Sequence, residues 1–84
     1  MDRASDLLTR LESLFLSGAQ VTDLKPLHNL NRLERLSVWA TPIADPRDLI
    51  KMTSLRSLDV KETKLTIGQI EDLQRALPNC EIER

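Results

Sequence analysis

Three six-residue phrases, LESLFL, LERLSV and LRSLDV, begin at Leu11, Leu33 and Leu55, so the chain repeats every 22 residues. A fourth start falls at Leu77, in LPNCEI. At this period Leu11, Leu33, Leu55 and Leu77 form one apolar column, and Leu14, Leu36, Leu58 and Cys80 a second. Leu16, Val38, Val60 and Ile82 form a third, and Val21, Ile43 and Leu65 another. A repeat of this length is one supersecondary unit that cannot bury its apolar face alone; stacked copies bury a continuous core. The period therefore restricts the chain to an architecture of stacked, like units.

Each LxxLxL contains the period-two step of a short strand. The next residues, SGAQV, WATPI and KETKL, bend the chain and return one apolar residue inward. A second segment follows with its own start signals. Asp45 before Pro46 reads as an N-cap with proline at the first helical position. Thr66-Ile67-Gly68-Gln69 fits a capping box, after which Ile70, Leu73 and Leu77 follow at helical spacing, predicting a helix over 66–77. Leu8, Leu30 and Met52 are also 22 apart. Residues 2–9 therefore read as a short helix closing the first end of the stack. The chain divides as a single domain, 1–84: an N-terminal half-repeat at 1–10, repeats at 11–32, 33–54 and 55–76, and a C-terminal stub at 77–84.

The pattern LxxLxLxx(A/T)x(V/I/L) resembles the leucine-rich repeat family. GAQVTDLKPLHNLNRL resembles its 22-residue, internalin-like bacterial class, and ALPNCEI resembles a terminal repeat of bacterial members. The resemblance covers roughly residues 5–82. It implies an α/β fold: a short right-handed solenoid with a parallel sheet on the concave face and short helices or turns on the convex face. It also implies a protein or peptide partner recognised by the concave sheet. Two departures stand out. Ala19, Thr41 and Thr63 occupy the position where the family often has Asn, so the first turn lacks a side-chain hydrogen bond. Pro46 replaces the apolar residue seen at Leu24, which makes the convex side of the second repeat irregular.

Strand residues alternate between faces. If Leu14 and Leu16 point inward, then Ser13, Phe15 and Ser17 point outward. The same rule turns out Arg35, Ser37 and Trp39, then Ser57, Asp59 and Lys61, then Asn79, Glu81 and Glu83. Phe15 and Trp39 are the only Phe and Trp in the chain, and both fall on outward columns of adjacent strands. Aromatic residues and Arg are enriched at binding hot spots. The expected contact set is Phe15, Arg35, Trp39, Asp59 and Lys61, with Glu34 and Arg56 as a polar rim. A packing reading stays open beside it: Trp39 folding over the Ala40–Pro42 turn, Phe15 against the N-terminal helix, and Glu12, Glu34 and Arg56 as a solvated charge ladder.

Composition removes other classes. Twelve basic and thirteen acidic residues give a formal net charge of -1, and aromatics are 2% of the chain, which argues against nucleic-acid binding. No segment approaches the ~20 apolar residues that span a bilayer, and there is no polybasic membrane patch. His28 and Cys80 are the only residues of their types, too few for a four-ligand zinc site. The only glycines, Gly18 and Gly68, form no phosphate loop. Cys80 reads as a small buried hydrophobe, and a lone cysteine fits a cytoplasmic setting. The expectation is a non-catalytic protein-binding module without cofactors. The alternatives are a small stand-alone inhibitor of the immunity or phage anti-defence type that occludes a larger complex, and a homodimer formed through an end of the stack or the aromatic patch.

Overall fold

The structure is a computed structural model and describes residues 10–84; the helix expected over 2–9 lies outside them. Four three-residue strands, β1 (Ser13–Phe15), β2 (Arg35–Ser37), β3 (Ser57–Asp59) and β4 (Glu81–Glu83), form one parallel sheet in the order β1-β2-β3-β4. Parallel neighbours need a crossover between them. Here the crossovers are a 3-10 helix (Lys25–Asn29), α1 (Arg47–Ile50) and α2 (Ile67–Ala76).

The register places Leu14, Leu36, Leu58 and Ile82 side by side. The two central members, Leu36 and Leu58, are buried, while Leu14 and Ile82 on the end strands of the described sheet are half-buried. Leu33, Val38, Ile43, Leu49, Leu73 and Val60 fill the space between sheet and convex segments. This is one contiguous core whose rows run along the stack, as the repeat requires.

The last coil departs from the expected columns. Leu14, Leu36 and Leu58 keep the 22-residue step, but the next member of their row is Ile82, not Cys80. Cys80 instead donates its backbone N–H to Leu77 O, as Leu33 does to Leu30 O and Leu55 to Met52 O. It therefore stands in the column of Leu33 and Leu55, and Leu77 in that of Leu30 and Met52. The cause is α2, whose ten residues replace the four- and five-residue segments of the earlier coils. The slip is two residues at β4, so inward and outward parity survive.

The turns after the strands are alike in a way that composition hides. Gly18, Ala40 and Glu62, again 22 apart, all have left-handed φ, at 73°, 58° and 60°. Each is the third residue of a turn. Ala19 N–H donates to Leu16 O, Thr41 N–H to Val38 O, and Thr63 Oγ1 to Val60 O. Thr41 Oγ1 adds a 2.7 Å bond to Val38 O, so the threonines do locally what Ala19 leaves to its backbone. Left-handed backbone costs a non-glycine residue ~1–2 kcal/mol, part of which glycine returns through its unfolded-state entropy. Glu62→Gly, at an exposed side chain, is expected to raise stability by about 0.5–1 kcal/mol in denaturant unfolding. Gly18→Ala has open space for its Cβ, so it is expected to lose about 1 kcal/mol from backbone strain alone.

Of the expected helix starts, the Thr66 capping box forms, whereas Pro46, not Asp45, is the N-cap of α1 and carries no side-chain capping bond. Asp23 Oδ1 accepts from Lys25 N–H at 2.9 Å and Asp45 Oδ1 from Arg47 N–H at 3.0 Å, each satisfying an orphan helix-start donor. The Arg47 side chain and backbone bonds hold the Asp45 carboxyl below its usual pKa. Thr66 and Gln69 complete the capping box in both directions, and Gln69 Nε2 reaches Ala44 O, tying α2 to the preceding coil. At the far end Gln74 Nε2 donates to Leu77 O and Cys80 O, fastening the α2–β4 connection.

Burial pushes the Cys80 thiol pKa up, with a further push from Glu81. An unfolded thiol then ionises before the folded one, so stability is full below the ordinary thiol pKa of about 8.5 and declines as pH rises beyond it. Cys80 is expected to resist a disulfide reagent at neutral pH and to react at once in denaturant. Equal rates in both states would place it at the surface.

Candidate interaction surface

The outward residues of the four strands make a face of three rows. Ser13, Arg35, Ser57 and Glu81 are in register, as are Phe15, Ser37, Asp59 and Glu83. The ladder continues past the strands, with Gly18 N–H donating to Trp39 O and Ala40 N–H to Lys61 O. Ser17, Trp39 and Lys61 thereby form the third row.

Phe15 is 68% exposed and Trp39 42% exposed. Trp39 is one position diagonal to Phe15, because the residue directly opposite Phe15 is Ser37. Ser37 points outward yet is only 7% exposed, since larger residues stand beside it: Arg35 on its own strand, Trp39 in the turn that follows, and Phe15 and Asp59 on the neighbouring strands. Its hydroxyl sits 3.4 Å from Trp39 N–H and accepts from it. The two rings therefore flank a small covered residue, with Trp39 more than half covered itself.

The far half of the face is charged. Lys61 Nζ is 3.2 Å from Glu83 Oε2, and Asp59 Oδ1 accepts from Lys61 N–H at 2.9 Å. The hydrogen bond to Glu83 and the neighbouring Asp59 charge raise the Lys61 pKa. Glu83 belongs to this group but stands outside the expected contact set, because the two-residue slip that brings it opposite Asp59 lies in the last coil. Arg35 is exposed and makes no ion pair with any described residue.

Glu34 and Arg56 do meet, at 3.7 Å, but at the edge where the strands begin. They line a polar groove of about 650 Å³ with Glu12, Asn31, Arg32 and Ser54. Five residues of extended chain, ~16 Å, separate Glu34 from Trp39. The pair thus borders this groove and not Trp39, whose neighbours along its row are Ser17 and Lys61. His28 is on the convex side, its Nε2 3.1 Å from Asp48 Oδ1 but poorly directed for a hydrogen bond. Among the described residues no three His, Cys, Asp or Glu side chains gather as metal ligands would. No described helix is long and apolar enough to cross a membrane.

No protein-family model matches the sequence, and no curated protein matches it. Among solved structures, the chain is similar to a leucine-rich repeat protein of Leptospira interrogans, with 22% identity and a TM-score of 0.59. The likeness covers 69% of this chain and 15% of that one, so the chain spans a small part of its neighbour's length. The parallel sheet of stacked coils and this likeness make the fold that of a leucine-rich repeat protein.

Proposed function

We propose that the chain is a non-catalytic protein-binding module whose concave sheet takes a protein or peptide partner. The observation that carries this reading is the pair of exposed aromatics beside one open sheet face: Phe15 on β1 and Trp39 in the turn that follows the neighbouring β2. A fold this small gains by burying such rings, so leaving them on the outer face costs stability that a partner's contact would recover. The 22-residue step shared by the strand registers and the left-handed turns supports the internalin-like repeat class.

The test is parallel affinity capture with the wild-type chain and a Phe15→Ala/Trp39→Ala variant whose fold is verified by circular dichroism. A protein held by the wild type and lost from the variant supports the proposal. Proteins held equally by both, or by neither, overturn it.

A further inference from the structure

The concave face is divided along the stack. The β1–β2 half carries Phe15 and Trp39 with a single charge, Arg35. The β3–β4 half carries Asp59, Glu81 and Glu83 against Lys61 alone, a net formal charge of -2 on four neighbouring side chains. Lys61 is already engaged by Glu83 and Asp59, whereas Glu81 is exposed and makes no ion pair with any described residue. An occupant complementary to both halves needs an apolar side chain at one end and a positive charge at the other.

We propose that the occupant is an extended peptide segment, lying across the strands, with an apolar anchor followed or preceded at about three residues by Lys or Arg. This rests on the concave face being the binding surface. The spacing follows from geometry. Neighbouring strands are ~4.8 Å apart, so the midline of the aromatic pair and the midline of the acidic half are separated by roughly 10 Å, the length of about three extended residues. The anchor covers Phe15 and Trp39; the cation meets Asp59, Glu81 and Glu83.

A displayed library of random twelve-residue peptides, selected on the full chain, tests this. The expected enrichment is an aromatic or aliphatic residue separated from Lys or Arg by about three positions. Synthetic versions of the enriched peptides should bind an Asp59→Asn/Glu81→Gln/Glu83→Gln variant about tenfold more weakly, the effect of two or three exposed charge pairs. The loss should shrink as salt is raised. Peptides that bind this variant unchanged but fail on Phe15→Ala/Trp39→Ala would refute the cationic partner while keeping the concave site. Peptides that bind both variants unchanged would refute both. No enrichment, or a wild-type dimer that dissociates when Phe15 and Trp39 are replaced, would overturn peptide occupancy.

Discussion

Leu58→Ala is expected to destabilise the fold by about 3–4 kcal/mol, within the ~2–5 kcal/mol range for emptying a buried leucine site. Leu58 has no exposed surface and stands in register between Leu36 and Ile82, so both flanking coils lose contact with it. A chain of this size buries only about 60% of its unfolded surface and has little core to repack around a cavity. At ~0.05–0.15 kcal/mol per residue, the loss is a large part of the whole stability. The contrast is Leu14→Ala, on an end strand and half-buried, expected to cost about 1–2 kcal/mol by the smaller area withdrawn from water. Urea unfolding followed by circular dichroism measures both. Equal losses at the two positions would contradict a row of leucines that is deepest at its centre.

The second large effect is on binding. Loss of Phe15 or Trp39 to alanine is expected to weaken a concave-face partner by about 2 kcal/mol each, near 30-fold, the scale of an aromatic hot spot. The two substitutions differ in what they do to the free chain. Phe15 is 68% exposed, so its removal is expected to change stability by less than about 0.5 kcal/mol. Trp39 is more than half covered and shields Ser37, so Trp39→Ala is expected to cost roughly 1–2 kcal/mol of stability as well. Titration calorimetry well below the melting temperature separates the two effects. An affinity unchanged by Phe15→Ala, with Trp39→Ala destabilising, would identify the indole as a covering residue only.

Much of the fold is legible in the sequence because one leucine ladder specifies both where the strands are and which way they face. The capping box at Thr66 is legible because it is a local pair of hydrogen bonds between near neighbours; Asp45 is legible as a turn former, but the helix after it starts one residue later than Pro46 suggests. The left-handed turns at Ala40 and Glu62 are not, since neither residue prefers that conformation; stacking on the adjoining coil imposes what only Gly18 advertises. The slip at β4 is hidden because a shift of two leaves the alternation intact, so Cys80 and Ile82 fit either register by pattern. The outward sheet face shares this division. Alternation identifies Phe15, Arg35, Trp39, Asp59 and Lys61 as outward residues; Phe15, Arg35, Trp39 and Lys61 are exposed and Asp59 half-buried, with Trp39 and Lys61 in the turns after the strands rather than on them. Glu83 depends on the hidden slip. The covering of Ser37 depends on the sizes of its neighbours. The position of Glu34 and Arg56 at the beginning of the strands depends on strands only three residues long.

The most direct measurement uses the indole itself. The chain has one Trp and no Tyr, so its near-ultraviolet-excited emission reports on Trp39 alone. In the free protein, acrylamide should quench that emission at a rate between those of a buried indole and of the denatured chain. Saturation with a peptide selected on the wild-type protein should shift the emission to shorter wavelength and suppress the quenching. An indole already shielded in the free protein, or one whose emission and quenching do not change when a selected peptide binds, would contradict a concave recognition surface centred on Trp39.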